Sequence, residues 1–120
     1  MANLTVALNI LTSDAFTDSP TQVNNTATYI SAKDSVLKRI LLTADTGKLI
    51  FDSSEYGRSF LYLKFISGGD SINIEDSGSS TIYASLQKNE FVFIPWHGTV
   101  DLYAESVAAA GVIEVGIFED

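Results

Sequence analysis

The chain has 120 residues, the length of a single domain, and its 15 acidic residues outnumber its 7 basic ones, giving a formal net charge of −8. It has no cysteine and a single histidine, His97, so disulfides, thiolate metal sites, cysteine nucleophiles and multi-histidine metal sites are excluded. Nucleic acids and anionic membranes are bound by clustered cations, and Lys38-Arg39 is the only basic pair in the sequence. We therefore expect neither nucleic acid nor a membrane as a partner.

The first predicted element is a strand near the start of the chain. Leu4, Val6, Leu8 and Ile10 alternate with polar or small residues, a pattern typical of a half-buried strand. The following stretch, residues 12–25, is rich in Ser, Thr, Asp and Asn, which predicts a long loop. Residues 1–25 are therefore interpreted as an N-terminal strand followed by an arm or long loop.

From residue 28 onward, short strands are separated by turn signals at intervals of about ten residues. The predicted strands are Thr28–Lys33, Val36–Thr43, Lys48–Asp52, Ser59–Ser67, Ile72–Glu75, Thr81–Leu86, Glu90–Pro95, Thr99–Ala104 and Gly111–Phe118. Because Val36–Thr43 is apolar on both faces apart from its two basic residues, we expect it to be a central strand. Ala104–Ala110 is interpreted as a loop of small residues in preference to one helical turn.

These elements predict the fold class. Many short strands with regular turns indicate an all-β, antiparallel β-sandwich that forms one domain over residues 1–120. The long excursion over residues 12–28 suits a connection that crosses between two sheets, which favours a jelly-roll-like sandwich. The strand order itself cannot be read from the turns.

Catalysis would have to depend on the single histidine. His97 lies between two predicted strands, and a triad would need it to act with Asp101 and a serine. The chain contains no Gly-x-Ser-x-Gly pattern, so we interpret His97 as a loop residue and do not expect an enzyme. A small hydrolase is the weakest of the alternatives.

The acidic residues around one predicted hairpin are candidate ligands for a calcium ion. Asp70, Glu75 and Asp76 flank one predicted hairpin, and carboxylate oxygens are the ligands that Ca²⁺ prefers. Their spacing matches no calcium loop, and neighbouring strand residues point to opposite faces. No cofactor or metal is therefore predicted.

Several strands carry apolar residues on both faces, so either loops or another subunit must cover the outer face, and we favour a subunit. Apolar patches of this kind generally mark association surfaces, so we expect a symmetric homo-oligomer, a homotrimer in preference to a dimer. The candidate interface residues are Leu4, Val6, Leu8, Leu41, Tyr62, Phe93 and Trp96.

Several segments resemble small virion proteins of tailed bacteriophages, especially those of marine and cyanobacterial hosts. They are the opening Met1–Val6, the Gly- and Ser-rich turns, Phe91–Pro95 and Ala108–Glu119. The resemblance implies a capsid decoration (cement) protein or a tail-associated component, made in the host cytoplasm and located on the outer capsid surface. Its partners would be copies of itself and the major capsid protein.

A second class of function also fits the composition. A carbohydrate- or receptor-binding module of a tail or fibre would use exposed aromatic rings for stacking. Its candidate groups are Trp96, Tyr56 and Tyr62, with acidic loops holding Ca²⁺.

Overall fold

The structure, a computed structural model, describes residues 2–16, 19–31, 35–77 and 81–120. Within these ranges the chain forms strands and no helix, which confirms the all-β prediction. The strands are β1 (Ala2–Phe16), β2 (Ser19–Ser31), β3 (Ser35–Leu42), β4 (Lys48–Phe51), β5 (Ser59–Ser67), β6 (Ile72–Glu75), β7 (Ile82–Leu86), β8 (Phe91–Trp96), β9 (Leu102–Ser106) and β10 (Gly111–Glu119). The chain divides into two compact units, Met1–Ala32 and Lys33–Asp120.

The first unit is a long antiparallel hairpin of β1 and β2. The predicted loop over residues 12–25 was wrong for the residues that the structure describes, because 12–16 belong to β1 and 19–25 to β2. Main-chain pairing continues through Leu11↔Gln22 and Thr12↔Thr21. A strand ladder is made by backbone groups and does not require apolar side chains, and threonine favours the extended backbone.

The second unit contains two four-stranded sheets, ordered β3-β10-β5-β8 and β4-β9-β6-β7. We call them the β10 sheet and the β9 sheet. The pairs β3–β10, β4–β9, β5–β8 and β6–β7 are all antiparallel, so strands β3 to β6 pair in reverse order with β7 to β10. Successive pairs alternate between the two sheets, which is the rolled arrangement of a jelly roll and confirms the predicted fold class.

The hydrophobic core of this unit is formed by alternate residues of both sheets. Leu61, Leu63 and Phe65 of β5 are at most 2% exposed, and Ile72 and Ile74 of β6 at most 3%. Further buried members are Leu42, Ile50, Phe51, Leu86, Leu102, Ala104, Ile113, Val115 and Ile117. Period-2 alternation therefore places one face of each strand in the core and leaves the other face outside.

The predicted central position of Val36–Thr43 was wrong, because β3 is an edge strand of the β10 sheet. On its inward face Leu42 is buried and Ile40 is half-buried, whereas Leu37 and Leu41 on the opposite face are 65% and 66% exposed. The apolar character of both faces thus reflects an uncovered outer surface and not a central strand.

The connections explain several sequence signals. Gly68 has a φ of +77°, and a Cβ there would lie 2.2 Å from the carbonyl oxygen of Ala110, so only glycine fits. Between β3 and β4, Asp45 takes a positive φ of 54°. The loop predicted over Ala104–Ala110 is confirmed only from residue 107 onward, because β9 continues to Ser106; within the loop Ala108 has a positive φ of 73°.

Candidate interaction surface

The outer face of the β10 sheet is built by the residues that alternate with the core positions of β5 and β8. Across this strand pair Phe60 lies opposite Pro95, and Tyr62 lies opposite Phe93. Lys64 is the next outward residue of β5 and lies opposite Phe91. The pairing therefore concentrates aromatic side chains on the side of the sheet that faces away from the core.

These rings pack against one another. The Phe60 and Phe93 rings are stacked, with centroids 6.3 Å apart and planes 2° apart, and Tyr62 lies 6.4 Å from Phe91. The Arg58 guanidinium lies 5.1 Å from the centroid of the Phe60 ring. Phe60 is only 3% exposed although it is not part of the core cluster, because its neighbours on the outer face cover it.

The uncovered apolar area lies at the two edges of this sheet. Leu37 and Leu41 lie on edge strand β3, and Phe91 on edge strand β8 is 59% exposed. We call the whole surface the aromatic face, and its members are Leu37, Leu41, Phe60, Tyr62, Phe91, Phe93 and Phe118. An exposed apolar surface of this kind indicates an association site.

A small hydrogen-bonded group crosses the middle of the aromatic face. Arg39 donates from Nε to Glu114 Oε2 at 3.1 Å, and the Tyr62 hydroxyl donates to Glu114 Oε1 at 3.1 Å. These two hydrogen bonds, that of Arg39 first, lower the pKa of Glu114 below its ordinary 4.5. Burial, together with the hydrogen bond to Glu114 and its charge, raises the pKa of Tyr62 above 10.0.

The charge of this face differs from that of the chain as a whole. Lys64 lies directly opposite Glu114 in register, on the side away from Arg39. The outward charged residues of the two central strands and β3 are therefore two cations and one anion, in a chain with a net charge of −8. The side-chain charges of this face therefore sum to +1, opposite in sign to the net charge of the chain.

The N-terminal hairpin presents a second apolar surface. Leu4, Val6, Leu8 and Ile10 occupy one side of β1, and Leu8 and Ile10 are 41% and 44% exposed. We call these four residues the aliphatic row. The opposite side carries Thr5 and Thr28, whose hydroxyls are 3.4 Å apart, together with Leu11, which is 69% exposed.

The predicted interface residues fall on three separate surfaces. Leu41, Tyr62 and Phe93 share the aromatic face, whereas Leu4, Val6 and Leu8 share the aliphatic row. Trp96 lies on neither. Four residues of the aromatic face were not predicted from the sequence: Leu37, Phe60, Phe91 and Phe118. Because alternate residues of a strand share a face, Tyr62 and Phe93 could have indicated Phe60 and Phe91.

Trp96 borders an apolar cleft of about 90 Å³ at the open edge between β7 and β8. Its indole N–H donates to the carbonyl oxygen of Val100 at 3.0 Å, and the Tyr83 ring meets it edge-on at 5.8 Å. The other lining residues are Leu63, Ile74, Ala84, Val92, Ile94 and Leu102. The proposed stacking groups Tyr56 and Tyr62 are not among the lining residues, so the structure does not gather the three rings at one site.

His97 and Asp101 form hydrogen bonds with different loop residues. His97 Nδ1 accepts the backbone N–H of Thr99 at 3.0 Å, while Asp101 accepts the backbone N–H of Ser53 at 2.7 Å. In a triad the carboxylate must accept a proton from Nδ1, and here Nδ1 is itself an acceptor. The two residues are therefore not arranged as a catalytic pair.

The acidic residues considered for calcium lie in different environments. Glu75 is 1% exposed, whereas Asp70 is exposed. In the part of the chain that the structure describes, no three His, Cys, Asp or Glu side chains are close enough to hold a metal ion.

Comparisons of the chain with family models, curated proteins and solved structures found no match. Among the described residues, no helix is long and apolar enough to cross a membrane.

Proposed function

We propose that this chain is a non-enzymatic structural protein that assembles with copies of itself through the aromatic face. The observation that carries the proposal is the exposure of Leu37, Leu41 and Phe91 around packed aromatic rings. Burial of such side chains on association is favourable by about 25 cal/mol per Å² of apolar surface. The expected product is a closed homo-oligomer, a homotrimer in preference to a dimer.

The resemblance to small phage virion proteins implies that this assembly takes place on a virion. We propose a capsid decoration (cement) protein that binds the major capsid protein on the outer shell after synthesis in the host cytoplasm. The jelly roll supports a structural role because viral capsid proteins are among the proteins built on this fold. The net charge of −8 would limit nonspecific contact with packaged DNA.

Sedimentation equilibrium tests the assembly. The wild-type chain should form an oligomer, and Leu41→Ser together with Phe91→Ser should raise its dissociation constant at least about tenfold, or ~1.4 kcal/mol. Ile82→Ser is the matched control, since Ile82 is 54% exposed on β7 of the other sheet. A monomer at every concentration, or equal weakening by the control, would refute assembly through this face.

Labelling of particles tests the location. Antibody raised against the chain should decorate the outside of intact purified virions of the phage that encodes it. Particles that contain no copy of the chain, or that expose it only after disruption, would contradict the decoration role.

A second candidate function is carbohydrate binding at the cleft beside Trp96. The observation that favours it is the pairing of Trp96 with Tyr83 at the rim of an apolar cleft. Because Trp96 is the only tryptophan in the chain, its fluorescence reports directly on a glycan bound there. A saturable change on glycan titration in a monomeric chain would favour this function over assembly.

A further inference from the structure

We propose that the cleft beside Trp96 binds one small, uncharged apolar molecule about the size of benzene. The ligand would lie between β7 and β8 and extend the hydrophobic core to the open edge of the sandwich. The inference goes beyond the proposed self-assembly and does not depend on it. It concerns the interior of the cleft, whereas the second candidate function concerns a sugar at the rim.

The cleft lies where the two sheets of the jelly roll end. β8 is the last strand of the β10 sheet, and β7 is the last strand of the β9 sheet. The most buried of the lining residues belong to the core cluster, namely Leu63, Ile74 and Leu102, and each is at most 3% exposed. A ligand in the cleft would therefore contact the core directly.

The core is incomplete at this edge. Val92 and Ile94 of β8 lie opposite Leu63 and Leu61 in register, so they share the inward face of the sheet. Leu61 and Leu63 are at most 2% exposed, whereas Val92 is only half-buried and Ile94 is 37% exposed. Apolar side chains on the inward face thus remain in contact with water, and an apolar ligand that covers them is favoured by the hydrophobic effect.

The side chains around the cleft favour an uncharged ligand without hydroxyl groups. None of the described residues that line it is charged, and only Tyr83 and Trp96 have a polar side-chain atom. The Trp96 indole N–H already donates to the carbonyl oxygen of Val100 at 3.0 Å. In the part of the chain that the structure describes, no buried side-chain polar atom lacks a hydrogen-bond partner. A hydroxyl group inside the cleft would exchange its hydrogen bonds with water for contacts with carbon, which is unfavourable.

The volume of the cleft limits the size of the ligand. At about 90 Å³ it is smaller than an engineered apolar cavity of ~150 Å³ that binds benzene. Its lining residues Tyr83 and Ile94 are 46% and 37% exposed, so the cleft is open to solvent and a single ring can protrude from it. A drug-sized ligand or an oligosaccharide needs a pocket of about 300 Å³ or more.

Titration of the full-length chain with benzene, followed by methyl NMR, tests the proposal. A bound ring shifts the signals of nearby methyl groups, and the branched-chain residues of the lining are Leu63, Ile74, Val92, Ile94 and Leu102. Their signals should move saturably, with a dissociation constant of about 1 mM or lower. The methyl signals of Leu37 and Leu41 on the aromatic face report nonspecific adsorption and should not saturate with the same constant.

Substitutions that change the volume of the cleft should change its affinity for the ligand. Ala84 lines the cleft and is half-buried, so Ala84→Leu should fill it and raise the dissociation constant for benzene at least about tenfold. Ser85→Leu is the matched control, since Ser85 is exposed on the same strand and does not line the cleft. Val92→Ala tests the opposite change without overpacking, because the enlarged cleft should bind p-xylene more tightly than the wild-type chain does. The melting temperature and the methyl spectrum verify that each variant is folded.

Several results would overturn the inference. They are the absence of saturable movement in the lining signals, equal affinity of the wild type and Ala84→Leu for benzene, and unchanged affinity of Val92→Ala for p-xylene. Saturable movement of the same signals with a methyl glycoside but not with benzene would also overturn it, and would favour the second candidate function. Sedimentation of the same samples decides self-assembly separately, because we expect the ligand to bind the monomer and the oligomer alike.

Discussion

Tyr62 on β5 and Arg39 on β3 bind the carboxylate of Glu114 from opposite sides of β10. Tyr62 donates to Oε1 of Glu114 and Arg39 to Oε2, each at 3.1 Å. Glu114 thus fixes the orientation of one aromatic ring in the middle of the aromatic face. Two pH changes therefore act on this group: protonation of Glu114 at acid pH and ionisation of Tyr62 at alkaline pH.

At acid pH, we expect Glu114 to contribute to the loss of stability. Its pKa is lowered, so its stabilising contribution is fully present above pH 4.5 and is lost as the pH falls through the lower pKa of the folded protein. Glu114→Gln should therefore have a smaller fall in unfolding free energy below pH 4.5 than the wild type. Urea unfolding at a series of pH values measures this. Glu55→Gln, at an exposed loop position, is the control, and an equal effect there would contradict the assignment.

At alkaline pH, Tyr62 should ionise late. Its pKa is raised, so its contribution to stability is present below pH 10.0 and is lost as the pH rises through the higher folded-state pKa. Glu114→Gln removes the negative charge of Glu114, which is one of the causes, so Tyr62 should then ionise at a lower pH. Phenolate absorbance, with Tyr62→Phe as the reference for the other four tyrosines, follows this change. No movement of the titration curve in Glu114→Gln would contradict the effect of the Glu114 charge on Tyr62.

Phe65→Ala should strongly destabilise the jelly roll. The Phe65 side chain is 0% exposed between the sheets, and truncating such a residue leaves a cavity that costs about 3–5 kcal/mol. Leu41→Ala is the contrasting variant, since its side chain is 66% exposed and its loss should change unfolding of the monomer by less than about 0.5 kcal/mol. Denaturant unfolding under conditions that keep the chain monomeric provides both values, and similar costs would mean that the two faces of the sheet are wrongly assigned.

Gly98→Ala should be costly, because Gly98 has a φ of +83° and a new Cβ would lie 2.4 Å from the carbonyl carbon of Gly57. Strain of this kind costs about 1–3 kcal/mol. Gly57→Ala is the matched control on the other side of the contact, where a Cβ meets only Glu119 Oε1 at 3.5 Å. The melting temperatures of the two variants are compared with that of the wild type. An unchanged melting temperature in Gly98→Ala would contradict the close approach of Gly98 to Gly57.

Tyr83→Ala should change the environment of Trp96. The edge-on contact at 5.8 Å shields one side of the indole, so its removal should shift Trp96 emission to longer wavelength and cost about 0.5–1.5 kcal/mol. Tyr103→Ala on β9 serves as the comparison, since Tyr103 does not line the cleft. Unchanged emission in Tyr83→Ala would show that the ring does not cover Trp96.

Local patterns in the sequence determined the fold class and several strand positions. Period-2 alternation predicted β5 and β6 with the bounds that the structure gives, and β10 to within one residue. The turns near Gly68 and Ala108 could also be predicted, because small residues mark them in the sequence. The absence of cysteine and of clustered basic residues limited the classes of chemistry in the same direct way.

Tertiary structure alone decided the strand order and the surfaces that follow from it. The pairing of β1 with β2, the edge position of β3 and the juxtaposition of Tyr62 with Phe93 each join residues that are distant in the sequence. A polar stretch such as 19–25 has no apolar pattern to mark it as a strand, and its partner strand supplies the missing constraint. The strand pairings together decide which apolar residues stay exposed. The aromatic face and the aliphatic row can therefore be recognised only in the folded sheets.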